Sequence, residues 1–277
     1  MSSIPVFDEF PFSCALGVTD ARGTGCTLGD PRRPYPLASV SKPITAMSAW
    51  IAVERELLDL DAAAGPPGAT VRHLLSHAAG LAFSSDDVLS APGRRRTYSN
   101  RGFEILGDQI GADTGYDPLD WIERTVVEPL GMADAVIEGS PAAGFCASVL
   151  DLLALGRELL CPTLVSPQLH RLATHVVFEG LPGVLPGYGR QEHNDWGLGV
   201  EIRAQKSPHW TGSGNSPGTF GHFGQSGSFL WVDPEAGVAC AFLGEQPFGE
   251  IHQHLWSRLS DEVLGRFADA DRKVPAR

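Results

Sequence analysis

The fold turns on one stretch, Pro36-Leu37-Ala38-Ser39-Val40-Ser41-Lys42-Pro43-Ile44-Thr45-Ala46. Apolar residues continue from it at helical spacing through Ile44, Met47, Ile51 and Leu58, which predicts an amphipathic helix from Ser39 to about Leu58. Pro43 is tolerated because it falls near the first turn. Residues three apart on a helix share a face, so the Ser39 hydroxyl and the Lys42 amine can meet. A serine hydroxyl is a weak nucleophile until a base takes its proton, and a lysine whose pKa is lowered by burial can be that base. The amides at a helix start can also hold an oxyanion.

Alone, this SxxK carries little weight, because composition supplies about 0.2 such matches by chance. Tyr98-Ser99-Asn100, a YxN, is rarer, at about 0.04. His222-Phe223-Gly224, an HxG, arises about once by chance. The force lies in their order and setting. Ser39 opens a helix, Tyr98 precedes one, and His222 ends a strand-like run before glycine-rich sequence.

Further out, residues 12–18 and 22–28 read as two short strands in a hairpin-like start. Thr70 can cap a helix over 71–77 and Asn100 one over 101–111. Asp117-Pro118 is a cap followed by proline at the first helical position. Ser148-Val149-Leu150-Asp151 resembles a capping box with a helix behind it. Residues 181–189 read as a loop. Four strand-like runs follow at 196–203, 219–223, 228–232 and 237–243, and a final amphipathic helix covers about 250–267. The pattern is a sheet assembled from both ends of the chain with a helical insert between. We therefore expect one domain over 1–277, with a sheet lobe from about 1–60 and 195–277 and a helical lobe from about 61–194.

These pieces resemble the serine β-lactamase and penicillin-binding-protein family, in the class C β-lactamase-like branch that includes esterases and D-amino peptidases. The matching segments are residues 36–46, Leu74-Leu75-Ser76-His77-Ala78-Ala79-Gly80-Leu81, Tyr98-Ser99-Asn100, Trp196-Gly197-Leu198-Gly199-Val200 and Gly221-His222-Phe223-Gly224. The resemblance implies an α/β (α+β) fold of the β-lactamase/transpeptidase type. In it an antiparallel sheet is flanked by helices, a mainly helical lobe is added, and the site lies in the cleft between. It implies that Ser39 is the acylated nucleophile and Lys42 its activator. Tyr98 would carry the proton to the leaving group and help activate water. Asn100 would hydrogen-bond substrate and Lys42. His222 stands where many relatives have the lysine of a KTG triad, followed by Phe223 and Gly224, and the oxyanion hole would be the backbone N–H groups of Ser39 and Gln225. Two features depart from the family. The region before the nucleophile is short, which implies a reduced or absent N-terminal helix. Phe223 replaces the triad hydroxyl that contacts a substrate carboxylate, and it cannot make that hydrogen bond. The expected activity is acyl transfer to water by an esterase or amidase on small acyl substrates. The alternatives are a β-lactamase or D-Ala/D-amino peptidase, and a non-catalytic module that binds an acylated ligand.

Composition narrows the partners. Among 277 residues, 21 basic and 33 acidic side chains give a net charge of −12, which disfavours nucleic acid and anionic membrane faces. No stretch reads as a signal peptide or a membrane span. Five widely spaced cysteines without a CxxC suit a reduced, cytoplasmic chain and disfavour a zinc knuckle, and they read as buried small hydrophobes. A small-molecule acyl substrate, no cofactor, no metal, and a monomer or homodimer are expected. Gly214-Asn215-Ser216-Pro217-Gly218 fits the nucleophile elbow GxSxG, but Pro217 lacks the N–H that an elbow uses. His73 and His77, four apart, read as a structural pair, since Leu74 stands where a metalloprotease needs glutamate. Arg94-Arg95-Arg96 reads as a solvated loop, with a rim contact to the site as the sharper option. Trp196, Trp210 and Trp231 read as core, with Trp210 able to line a cleft.

Overall fold

The computed structural model describes residues 4–268. Strand β1 (Cys14–Asp20) turns back into β2 (Gly23–Leu28), and β3 (Tyr35–Pro36) leads to a 3-10 turn at Ala38–Val40. Helix α1 (Ser41–Glu54) follows, so Ser39 lies in the 3-10 turn before the α-helix and not within it. The helix stops short of Leu58, because Glu56 takes a left-handed backbone (φ 57°).

The middle of the chain is helical: α2 (Val71–Leu75), α3 (Asn100–Thr114) and α4 (Pro118–Ile122), the last running through a π-turn at Glu123–Val127 into α5 (Glu128–Leu130). Strand β4 (Cys146–Ala147) pairs with β3, and α6 (Val149–Leu160) and α7 (Pro167–Thr174) follow. Asp117 caps α4 through the amides of Leu119 and Asp120, and Ser148 with Asp151 closes a capping box on α6. The cap of α3 is Ser99, which accepts from Gly102 N–H at 3.0 Å. Asn100, expected as the cap, is instead the first helical residue, which frees its amide for the site.

Residues 181–189 are not a plain loop. They supply β5 (Gly183–Leu185), which pairs with β6 (Gly189–Gln191) as a two-stranded ribbon. The run 196–203 also differs from expectation, with only β7 (Glu201–Ile202) extended. Gly197 N–H bonds Val200 O at 2.9 Å, and Gly199 is left-handed (φ 91°) with its α-carbon pressed on α1. A β-carbon there would come 2.1 Å from that of Ala46. The remaining strands are β8 (Phe220–Gly224), β9 (Ser228–Asp233) and β10 (Val238–Gly244), before α8 (Glu250–Phe267).

Six strands form one antiparallel sheet in the order β2-β1-β10-β9-β8-β7. Side chains alternate across it with period two. In β1 and β10, Ala15, Ala239, Ala241 and Leu243 face the helical side, whereas Leu16, Val18, Cys240 and Phe242 face α8. Small residues on the first face let α6 come close, and a β-carbon on Gly17 would lie 2.3 Å from Val149. Both faces are covered, so β10 is buried along its whole length. Ahead of β1, among the described residues, stands a 3-10 turn, Pro5–Glu9. Its neighbours Ile4, Val6 and Phe10 pack with Leu255, Leu259 and Val263 of α8.

Candidate active site

The 3-10 turn that carries Ser39 is entered through Ala38, whose backbone is left-handed (φ 46°). A residue with a β-carbon takes that conformation only at a cost, so the surrounding structure must hold it. It does so through Leu37, whose N–H bonds Phe145 O at 2.9 Å and whose carbonyl accepts from Ser228 Oγ at 3.0 Å. Gly224, at the end of β8, runs so close that a β-carbon would sit 2.3 Å from Leu37 O. The HxG glycine is therefore required by the approach of a strand edge to the serine turn.

Three bonds define the Lys42 amine, which is buried. It reaches Asn100 Oδ1 at 2.6 Å, Ala142 O at 2.9 Å and Ser39 Oγ at 3.4 Å. Its nitrogen also stands 4.8 Å from the centre of the Tyr98 ring. Burial lowers the lysine pKa to about 7, against the opposing pull of Glu104. Burial pushes the Tyr98 phenol up, although a hydrogen bond with Ser39 pulls the other way. His222 Nδ1 lies 2.6 Å from Phe223 O, and its Nε2 lies 3.4 Å from Tyr98 Oη. A carbonyl only accepts, so Nδ1 carries the ring proton and Nε2 accepts from the phenol. Burial, then the charge of Lys42, lowers His222 to about 3, which keeps it neutral.

Ser39, Tyr98, His222, Phe223 and Gln225 share the wall of one cavity of about 550 Å³. Its other walls are mostly apolar: Phe83, Val184, Leu185, Pro186 and Trp196. Trp196 thus lines the cleft, whereas Trp210 is core, its indole donating to Glu201. The expectation that Trp210 is core holds, but Trp196, also expected in the core, lines the cleft, because a Gly-rich flank signals a loop without saying which way a ring turns.

Other expectations also change. Arg96 is buried, not solvated, and donates to the carbonyls of Ser76, Val177, Phe178 and Asn194. Only Arg94 and Arg95 of the run are exposed, and Arg95 lines the cavity rim. His73 and His77 do not share a helix face, because α2 ends at Leu75 and His77 is left-handed (φ 54°). His73 stacks on Phe178, while the His77 ring packs tilted at 42° against Tyr98. Of the cysteines only Cys240 is buried, and Cys161 is exposed. Glu201 was missed altogether. It is buried, bonds Lys206 at 2.8 Å and His209 at 3.0 Å, and lines the same cavity. The 201–210 segment has no motif that could have flagged it. Ala142 O was also missed, since a carbonyl ligand leaves no mark in sequence.

A family model for Beta-lactamase matches residues 15–261. Among solved structures, a β-lactamase (Mb2281c) from Mycobacterium bovis is 47% identical, over 97% of this chain and 100% of that one, with a TM-score of 0.95. Unliganded simvastatin synthase (LovD) from Aspergillus terreus is 16% identical over 96% and 99%, with a TM-score of 0.81. EstCE1, a hydrolase with promiscuous acyltransferase activity, is 18% identical over 94% and 96%, with a TM-score of 0.76. At these last two identities the likeness is one of fold. No curated protein matches.

Proposed function

The chain belongs to the β-lactamase family, whose members are serine hydrolases, and from that footing we propose that it hydrolyses neutral esters or amides with a small apolar acyl group through an acyl-enzyme on Ser39. One observation carries the reading. Asn100 Oδ1 and Ala142 O can only accept, so a neutral Lys42 amine gives its two N–H bonds to them and turns its lone pair to the Ser39 hydroxyl. The contact to Ser39 is long, as such contacts often are before substrate tightens them.

In the first step the Ser39 proton passes to Lys42 Nζ as Oγ bonds the substrate carbonyl carbon. The carbonyl electron pair moves to oxygen, where the N–H groups of Ser39 and Gln225 receive it. Collapse breaks the bond to the leaving group, which takes its proton from the Lys42 ammonium through the Tyr98 phenol. Water then repeats the sequence on the acyl-enzyme, giving the acid and restoring Ser39. Burial keeps Tyr98 protonated, so Lys42 is the base and Tyr98 relays the proton. His222 orients the phenol by accepting its hydrogen bond. Asn100 binds both Lys42 and substrate, and Gly224 lets the end of β8 run against Leu37, two residues before Ser39.

The apolar cavity walls and Phe223 favour an uncharged substrate over one bearing a carboxylate. β-Lactam hydrolysis is the second reading, favoured by the 47% identity to the Mycobacterium bovis β-lactamase. Five free cysteines support a cytoplasmic setting, and among the described residues no helix is long and apolar enough to cross a membrane.

The test is intact-mass spectrometry and turnover with p-nitrophenyl butyrate, nitrocefin and a fluorophosphonate, using Ser39→Ala as control. We expect adducts on wild-type protein only, and a larger kcat/KM for the ester than for nitrocefin. Labelling that survives Ser39→Ala sinks the nucleophile, and a larger kcat/KM for nitrocefin makes β-lactam hydrolysis the activity.

A further inference from the structure

His77 is a buried imidazole for which the mechanism above has no use. It does not line the cavity, it is 2% exposed, and its backbone is left-handed (φ 54°). Two of its atoms hold the chain on either side of Tyr98. Its carbonyl accepts from Thr97 N–H at 2.8 Å, and its Nδ1 accepts from Ser99 N–H at 3.2 Å. An amide only donates, so Nδ1 is the bare nitrogen and the proton of the neutral ring sits on Nε2. Among the described residues that Nε2 has no hydrogen-bond partner, although it is buried. The ring lies 4.4 Å from the Tyr98 ring at 42°, and Trp196 stands edge-on to it at 4.6 Å and 89°.

A left-handed backbone under a β-carbon and a buried, unpaired N–H are both unfavourable. Leucine or phenylalanine would fill the same volume with neither an unpaired N–H nor a ring nitrogen to satisfy. What only the imidazole supplies is an acceptor for Ser99 N–H on an aromatic ring packed, tilted at 42°, against the tyrosine. Such local costs collect where a site needs its geometry fixed.

We propose that His77 is the positioning residue for Tyr98: by gripping the amides of Thr97 and Ser99 it fixes the phenol between Lys42 and His222 for proton transfer. The inference rests on the acyl-transfer reading above. It makes His77 act on kcat through the tyrosine hydroxyl, not on substrate binding and not on the fold as a whole.

A mutant cycle tests it with p-nitrophenyl butyrate as the probe. His77→Phe and His77→Leu keep bulk and remove the acceptor. His77→Asn keeps an acceptor near the position of Nδ1 and tolerates the left-handed backbone. Each is made alone and with Tyr98→Phe. Misplacement of a catalytic group by about 1 Å can cost on the order of 100-fold, so His77→Phe should lower kcat by about that factor with KM nearly unchanged. His77→Asn should restore most of it. In the Tyr98→Phe background, His77→Phe should have almost no further effect, because residues acting as one unit are not additive. An equal fold-loss with and without the Tyr98 hydroxyl overturns the proposal, as does a loss confined to KM. Failure of both His77→Phe and His77→Leu to melt cooperatively also overturns it, by assigning the residue to folding. No turnover and no acyl adduct from wild-type protein would instead overturn the acyl-transfer reading, which separates the two failures.

Discussion

Lys42 is where pH acts on this protein. In the proposed mechanism its neutral amine is the base, and burial lowers its pKa to about 7, so kcat/KM for an ester should rise as pH increases through about 7 and then level. His222 is neutral at any pH well above about 3 and adds no step there. The profile of p-nitrophenyl butyrate turnover between about pH 5 and 9 checks this, and a profile that falls through neutrality would remove Lys42 as the base. Stability follows the same group. The unfolded lysine holds its proton up to its ordinary value of 10.5, while the folded one releases it near 7. Between those values the unfolded state binds more protons, so the contribution of Lys42 to stability rises with pH. Lys42→Met should remove that rise in a urea titration along with the activity. Ser39, Lys42 and Tyr98 could be picked out as a set in the sequence because their chemistry is rare in that order. The Ala142 carbonyl and His77 could not be picked out in the same way, because the first is backbone and the second acts through where the chain folds it.

At the level of elements, the site depends on how β7 is pinned to the segment after it. Glu201 on β7 receives Lys206, His209 and the Trp210 indole, all buried. Burial alone would raise its carboxyl, but the Lys206 and His209 charges outweigh that and hold it well below the usual carboxylate range. Removing the carboxylate leaves the buried Lys206 amine without its counter-charge and the His209 and Trp210 N–H groups without an acceptor. Glu201→Ala should therefore cost about 3 kcal/mol or more in urea unfolding, and Glu201→Gln less because it keeps an acceptor. A loss within about 0.5 kcal/mol would show that water replaces the carboxylate. Helices α1 and α8 were readable from apolar spacing and α6 from its capping box, whereas α3 was expected one residue late, with Asn100 in place of Ser99 as its cap. The stretch 196–203 was not, because its alternation looks like a strand, and only contact with Ala46 of α1 shows why Gly199 must turn.

Across the whole molecule, the sheet is closed at its back by α8 and the turn at Pro5–Glu9. Ile4, Val6 and Phe10 are buried there, Glu9 pairs with Arg258 at 2.7 Å, and Val6 N–H bonds Glu262 at 3.0 Å. Burial of three such side chains is worth on the order of 5 kcal/mol as an upper estimate. Deleting residues 1–10 should lower the unfolding midpoint strongly while leaving Ser39 able to react in protein that is still folded. An unchanged midpoint would mean that the turn is an ornament on α8.

The sequence by itself determined the class of fold and the kind of chemistry. Helical and strand periods fix which elements form, and Ser39, Lys42 and Tyr98, the residues of the proposed chemistry, are side-chain identities written in order along the chain. Tertiary structure alone decided the rest. It brought the carbonyl of Ala142 and the amide of Asn100 to one amine, turned Trp196 rather than Trp210 into the cavity, and folded the third arginine of an exposed run into the interior. The physical reason is common to all of these. Burial, desolvation and backbone acceptors arise from contacts between residues far apart in the chain, and no local pattern of residue types encodes them.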